Sequence, residues 1–161
     1  MAVRPLCVMP HQRLRLVAAP IRHFTNEVRV LVEDLIDTMR AHHGVGLAAP
    51  QVGCSLQAFV VNLSQRSGDE LVVMNPTLDQ TSGRAAILEG CLSLPDVWDE
   101  VPRWASVRLT GKDPSGKPFS LKAEGLLAIV IQHEVDHLHG RLFIDRVPGA
   151  RRQHRLQAVS T

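Results

Sequence analysis

Apolar residues recur at helical spacing in two long segments of the chain. The first spans residues 26 to 42, with Asn26 placed to cap a helix and Gly44 just after its end. Its periodic apolar positions are Val28, Leu31, Leu35, Ile36 and Met39. The second spans residues 124 to 139 and carries apolar side chains around most of its circumference. A helix that is apolar on most sides is buried, so we expect this one to lie in the core.

Shorter apolar stretches predict strands in the first half of the chain. Residues 58 to 63 and 71 to 74 are rich in Val, Leu and Phe, which favour strands. Asn75-Pro76 is expected to end the second strand, because proline cannot donate a hydrogen bond within a sheet. The small residues 44 to 53 predict a loop.

Alternating apolar and polar residues predict a hairpin in the second half. Residues 106 to 111 and 118 to 123 flank Asp113-Pro114-Ser115-Gly116, which has proline second and glycine fourth, as is typical of a tight turn. Residues 148 to 158 are expected to form a short terminal helix.

The composition is that of an ordinary globular protein, which we expect to be a single domain over residues 1 to 161. Hydrophobic residues make up 45% of the chain and charged residues 21%. The net charge of +2, without a dense run of Lys and Arg, argues against sequence-specific binding of nucleic acid. No apolar stretch approaches the roughly 20 residues that a membrane-spanning helix needs.

The cysteines indicate a reducing compartment. Cys7, Cys54 and Cys91 form an odd set without paired spacing, which argues against a disulfide framework and leaves a thiol free to bind metal. The first 26 residues are basic and contain no acid, as a transit peptide does, but they also contain three prolines. These favour a folded, irregular segment over a targeting signal.

The segment QHEVDHLHG, residues 132 to 140, predicts a metal site. His133 and His137 lie four residues apart, so a helix presents both on one face, and Glu134 directly follows the first. Burying these three polar groups on an apolar helix without partners would be costly, and a shared metal ion offsets that cost. We therefore prefer a hydrolytic metal site to a chance match.

A catalytic metal of this type usually takes three protein ligands, and the third must lie upstream. Downstream, Phe143 occupies the position of the third histidine in the longer metzincin signature, and Asp145 is the only nearby carboxylate. Cys91 stands out upstream because Gly90 allows close backbone approach and Pro95 adds rigidity. The other upstream candidates are Cys7, Cys54, Glu89, His42 and His43.

Three segments together resemble the peptide deformylase family. They are GVGLAAPQVG (residues 44 to 53), EGCLSLP (89 to 95) and QHEVDHLHG, in the order and spacing of that family. The likeness extends to the N-terminal PHQRLRLVAAPI, to DPSGKPFSLKAEG and to LFIDR, so it covers nearly the whole chain. With the predicted elements, it implies an α+β fold of mostly antiparallel strands around a central buried metal-binding helix, with an N-terminal helix and a short C-terminal helix.

The resemblance also implies the roles of individual residues. The implied ligands of one divalent metal ion are Cys91, His133 and His137. Glu134 would act as general base and then as acid, while the Gln51 side chain and the backbone N–H of Leu92 would bind the developing oxyanion. The implied substrate cleft contains Gly44, Val45, Gly46, Glu89, Gly90 and Trp98. Many bacterial members have arginine where this chain has Trp98, which is either a cleft-edge aromatic residue or part of the core.

Members of the family typically use Fe(II) to remove the formyl group from formyl-methionine at the start of nascent polypeptides. One Cys and two His also suit Zn, Ni or Co, and they exclude Mg and Ca. The resemblance implies a bacterial, cytoplasmic enzyme rather than an organellar one. It further implies docking near the ribosomal exit tunnel, to which Arg151, Arg152 and Arg155 could contribute.

Two other functions remain open from the residues alone. One is a different small metallopeptidase or amidase with the same helix motif, which the absent downstream ligand weakens. The other is a structural metal module with Cys54 as a fourth ligand. Glu134 argues against that module, because a structural site gains nothing from the carboxylate.

Overall fold

The computed structural model describes residues 2 to 149, which contain two α-helices and seven β-strands. The helices are α1 (Asn26–Ala41) and α2 (Gly125–Leu138). The strands are β1 (Gly46–Ala48), β2 (Ala58–Val61), β3 (Leu71–Ser82), β4 (Ala85–Cys91), β5 (Leu94–Arg103), β6 (Ser106–Lys112) and β7 (Pro118–Glu124). Short 3-10 helices lie at Gln12–Arg15, Ala49–Val52 and Phe143–Arg146.

The strands form two separate antiparallel units, which confirms the expected α+β class. Five strands make one sheet in the order β1-β2-β3-β6-β7, and β4 pairs with β5 as a hairpin of its own. The predicted hairpin of residues 106 to 111 and 118 to 123 is β6 and β7.

The composition of β2 explains how the helices pack. All four of its side chains are apolar and buried, because helices cover the sheet on both faces at this strand. Val60 lies in one apolar cluster with Leu35 of α1, and Phe59 lies in another with Ile131 of α2. The buried helix predicted from the sequence therefore packs on one face of the sheet, with α1 on the other.

The predicted helix boundaries are close to those observed. α2 lies within the predicted residues 124 to 139. α1 begins at Asn26, but its N-cap is Thr25, so the prediction of Asn26 as the cap was wrong by one residue. The terminal helix predicted over residues 148 to 158 lies outside the described residues, apart from its first two positions.

Two predictions of local structure were wrong. The strand expected to stop at Asn75-Pro76 continues to Ser82, because a register shift between Met74 and Thr77 accommodates the proline. Asn75 has a φ of 50° at that irregularity. Residues 44 to 53 are not a simple loop, since they contain β1 and a 3-10 helix. Neither β4 nor β5 was predicted.

The basic N-terminal segment packs against the rest of the chain, as expected for a folded segment. Arg4 Nε donates to Asp34 Oδ2 of α1 at 2.8 Å. The backbone N–H of Cys7 donates to the Gln51 carbonyl at 2.7 Å, and Leu14 is fully buried. No helix among residues 2 to 149 has both the length and the apolar character needed to cross a membrane.

Candidate metal centre

Two elements bring the predicted ligands together. Cys91 is the last residue of β4 and pairs with Leu94, so the hairpin turn holds its side chain beside α2. On α2, His133 and His137 project from one face, as the four-residue spacing requires. Their Nε2 atoms lie 3.3 Å apart, and Cys91 Sγ lies 3.3 Å from His137 Nε2. The three ligand atoms all lie within 4.8 Å of one another.

These distances fit a shared metal ion. Bonds of about 2.0–2.3 Å at tetrahedral angles place neighbouring ligand atoms roughly 3.3–3.6 Å apart. One thiolate and two imidazoles form a set that favours Fe, Zn, Ni or Co. Burial and the nearby His133 hold the pKa of His137 well below its usual value, so this ring is neutral and can coordinate. The geometry and the donor chemistry both suit the metal that the sequence predicts.

Glu134 lies beside the predicted ligands and is shielded from solvent. Its side chain is buried, and Oε2 has no hydrogen-bond partner among residues 2 to 149. Burial is the main cause that raises the pKa of Glu134 to about 7, although the neighbouring His133 opposes the rise. A carboxylate with a pKa near neutral can both accept and donate a proton at neutral pH. The position therefore suits a general base that later acts as an acid.

Glu89 holds His133 in place. Its Oε2 lies 2.9 Å from His133 Nδ1, which turns Nε2 toward Cys91 and His137. Burial alone would raise the pKa of Glu89, but hydrogen bonds from Arg103 and His133 bring it below the usual value. Burial would also lower the pKa of His133, yet its contacts with Cys91 and Glu89 raise it well above normal. Positive charge at His133 is therefore favoured, whether from a proton or from a metal ion.

Gln51 faces the same centre from the 3-10 helix that follows β1. Its Oε1 accepts from the backbone N–H of Ala48 at 2.8 Å, which fixes the amide with Nε2 toward the site. Nε2 lies 3.2 Å from Ser93 Oγ and 3.5 Å from Cys91 Sγ. The side chain is 2% exposed, so Gln51 is not a surface amide.

A cleft of about 790 Å³ opens onto these residues. Every residue predicted for the site lines it except His137, which is buried. A Cβ at Gly46 would overlap the carboxylate of Glu134, so glycine at this position leaves room for that carboxylate. Trp98 is 55% exposed and its ring lies against Gly90, so it is a cleft-edge residue and not part of the core.

Glu89 was predicted to line the cleft, and its side chain also binds Arg103 and His133. Both of its carboxylate oxygens are bonded to Arg103, and one of them also to His133. It lines the cleft as part of β4, which within the described part of the chain pairs only with β5.

Sequence reasoning missed two groups at the site. Leu126, Ile129 and Val130 form an apolar wall of the cleft. Their spacing places them on the same face of α2 as His133, so helical periodicity could have found them. Arg103 binds Glu89 and also donates to the buried Asp136, and no local pattern marked Arg103 as part of the site.

The other candidate ligands do not belong to the metal group within residues 2 to 149, although Glu89, His42 and His43 line the cleft. Within residues 2 to 149 the metal-ligating group has three members and does not include Cys7 or Cys54. Asp145 pairs with Arg15 at 2.5 Å. His139, two residues beyond His137, is not in the metal group either, and its Nδ1 bonds to the Val135 carbonyl at 2.9 Å.

Comparison with known proteins agrees with this geometry. The model of the polypeptide deformylase family matches residues 3–153. A crystal structure of a peptide deformylase from Legionella pneumophila is 38% identical with a TM-score of 0.93, covering 99% of this chain and 94% of that chain. The peptide deformylase of Thermus thermophilus is 40% identical with a TM-score of 0.90, covering 97% of this chain and 92% of that chain.

A third solved relative is a peptide deformylase from Synechococcus elongatus in complex with actinonin. It is 37% identical with a TM-score of 0.89, and the match covers 98% of this chain and 86% of that chain. The likeness in sequence and fold thus extends over nearly the full length of each protein. The chain belongs to the polypeptide deformylase family and is a metal-dependent hydrolase.

Proposed function

We propose that this enzyme removes the N-terminal formyl group from formyl-methionyl nascent polypeptides and releases formate. The observation that carries the proposal is the placement of Glu134 beside Cys91, His133 and His137 at the end of a cleft with an apolar wall. The wall of Leu126, Ile129 and Val130 suits an unbranched apolar side chain such as that of methionine.

The metal would be held by one thiolate and two imidazoles. A divalent ion bound there supplies Lewis acidity, which polarises a carbonyl and lowers the pKa of water. Fe(II) is the ion that we expect under physiological conditions, and Zn, Ni or Co also suit the ligand set. Glu89 contributes by fixing the orientation of the His133 ring.

Glu134 would move the proton in both halves of the reaction. It accepts a proton from the water that attacks the formyl carbon and gives it to the amine nitrogen as the C–N bond breaks. The products are formate and a polypeptide with a free methionine amine. Gln51 Nε2 and the backbone N–H of Leu92 donate hydrogen bonds to the oxygen on which negative charge develops.

The substrate backbone would lie between two strands at the cleft. Gly44, Val45 and Gly46 form one side, and Glu89 and Gly90 form the other. Trp98 would contact the portion of the peptide beyond methionine by stacking, in place of the arginine of many relatives. We further propose a cytoplasmic, bacterial enzyme that works near the ribosomal exit tunnel.

The rival functions receive less support. A structural module would need a fourth protein ligand, and within the described residues the metal group does not reach Cys54. A peptidase with a downstream carboxylate ligand would need a residue such as Asp145, which is paired with Arg15.

The decisive experiment is an anaerobic assay of formate release from formyl-Met-Ala-Ser, with metal analysis of the same sample. We expect formate and a free methionine amine in the metal-loaded enzyme. Glu134→Ala serves as the inactive control. Metal-loaded enzyme that releases no formate, or that cuts an internal peptide bond and leaves the formyl group in place, would contradict the proposal.

A further inference from the structure

The carboxylate behind His133 is itself held by a buried arginine. Arg103 Nε donates to Glu89 Oε1 at 2.8 Å and Arg103 Nη2 donates to Oε2 at 2.9 Å, a two-pronged contact. Glu89 Oε2 is also the atom that contacts His133 Nδ1. The position of the guanidinium therefore determines where this carboxylate lies relative to the metal ligand.

The contacts continue from Arg103 to the surface. Its remaining Nη1 donates to Asp136 Oδ2 at 2.6 Å. Arg146 donates to the same carboxylate of Asp136, from Nε to Oδ2 at 2.6 Å and from Nη2 to Oδ1 at 2.5 Å. We refer to Glu89, Arg103, Asp136 and Arg146 as the ion-pair chain. The first three side chains are buried, whereas that of Arg146 is 40% exposed.

The charges of the ion-pair chain balance, with two carboxylates and two guanidinium groups. Without Arg146, Asp136 would keep one cationic partner among the described residues, Arg103, which is shared with Glu89. An uncompensated buried charge is costly, so Arg103 would shift toward Asp136 and loosen its contact with Glu89. The ring of His133 would then lose its fixed orientation.

We propose that Arg146 positions the metal ligand His133 through the ion-pair chain. Arg146 lies outside the three family motifs, in the 3-10 helix Phe143–Arg146, and it does not line the cleft. Its effect on the metal is therefore indirect, and it is a positioning residue. This inference rests on the proposed function only in taking His133 as a metal ligand.

The test uses metal binding by the full-length protein. Metal-free protein is titrated with Co(II), and its visible absorption spectrum reports the geometry around the ion. We expect Arg146→Met to bind Co(II) roughly 10-fold more weakly, the lower end of the range for partners behind a ligand, and to shift the spectrum. Arg146→Lys keeps the charge but not the two-pronged contact. Its Co(II) affinity should therefore lie between those of the unsubstituted protein and Arg146→Met.

Arg108→Met is the matched control. Arg108 is 41% exposed and makes the same kind of two-pronged contact, with Asp79, but it does not line the cleft. We expect its Co(II) affinity and spectrum to equal those of the unsubstituted protein. A general effect of losing a half-exposed arginine would alter both variants alike and would overturn the inference.

The remaining outcomes distinguish a failure of this inference from a failure of the proposed function. If Arg146→Met binds Co(II) with unchanged affinity and spectrum, the inference is wrong while the proposed function stands. If Arg146→Met does not fold, Arg146→Lys decides by the same two measurements. If the unsubstituted protein binds no Co(II), both the inference and the proposed metal site are wrong.

Discussion

Single side chains at the site divide into groups that would hold the metal and one that would move protons. We predict that Cys91→Ala loses the metal, because two imidazoles alone make an incomplete site. We expect Glu134→Ala to keep the metal and to lose about 10²–10⁴-fold in turnover, the usual contribution of a general base. Metal content and formate release are measured on the same samples. A metal-free Glu134→Ala protein would contradict this division.

Gly46 offers a second test of Glu134 that leaves its carboxylate in the chain. A methyl group at Gly46 would overlap that carboxylate and push it from its place. Since small misplacements of a catalytic group can cost about 100-fold, we predict a loss of that order in Gly46→Ala, with metal content unchanged. In the comparison variant Gly68→Ala, which lies outside the cleft, the new methyl meets no atom within 4 Å. Equal activity of the two variants would argue against the proposed role of Glu134.

The predictability of the site from the sequence differs from residue to residue. His133, Glu134 and His137 are tied by helical spacing, a local property that sequence carries directly. Cys91 stood out among several upstream candidates because of its neighbours Gly90 and Pro95, and the family motif then implied that it is the third ligand. Arg103 reaches Glu89 through its side chain, although the register of the hairpin pairs Arg103 with Ala85 and Glu89 with Asp99, and no local pattern in the sequence encodes that contact.

At the scale of elements, the glycine that ends α2 has a steric role. Gly140 has a φ of +68°, and a Cβ there would lie 2.7 Å from the carbonyl carbon of Arg15. Gly125, at the start of the same helix, has a similar φ of +59° but open space around it. We predict a cost of about 1–2 kcal/mol for Gly125→Ala from the backbone alone and a larger cost for Gly140→Ala. Urea unfolding of both variants measures this, and equal costs would contradict the steric argument.

The contact between the N-terminal segment and α1 gives a pH-dependent prediction. Burial would raise the pKa of Asp34, but hydrogen bonds from Arg4 and the backbone of Ala2 lower it. A lowered pKa means that the ionised carboxylate stabilises the fold above its ordinary pKa of 3.8. That contribution is lost as the pH falls through the lower, folded-state pKa.

We therefore expect Asp34→Asn to lower the free energy of unfolding by about 1–2 kcal/mol at pH 7, a modest value because Arg4 is partly exposed. The difference should shrink at pH 3. Urea unfolding at both pH values measures it, with Glu33→Gln on the exposed side of the same helix as control. A difference that persists unchanged at pH 3 would show that the charge of Asp34 is not its cause.

The strands that were predicted wrongly, or not at all, depart from the simple apolar pattern of a regular strand. In β5 the inward positions include Asp99 and Arg103, so polar residues occupy buried places and mask the alternation that marks a strand. In β3 the proline suggested an end, but an irregularity in the pairing carries the strand past it. Elements with simple apolar patterns, such as α2 and the β6–β7 hairpin, were predicted correctly.

At the scale of the whole molecule, the β4–β5 hairpin forms a unit separate from the five-stranded sheet. Strand pairing within the described residues does not join it to the five-stranded sheet. It is held by an apolar cluster around Phe143, by the contact of Arg103 with Asp136, and by the approach of Cys91 to α2. The proposed metal would thus connect the hairpin to the helix as well as serving the reaction.

Removing the metal should therefore loosen one region more than others. A ligand that binds only the folded state at 100 times its dissociation constant adds about 2.7 kcal/mol, so chelation should lower the thermal midpoint. We predict faster hydrogen exchange in residues 85 to 103 after chelation, with little change in α1, because the hairpin supplies Cys91 and α1 supplies no ligand. Cys91→Ala is the control, and its exchange should not respond to metal. Exchange that quickened equally in the hairpin and in α1 would mean that the ion stabilises the molecule without connecting these two elements in particular.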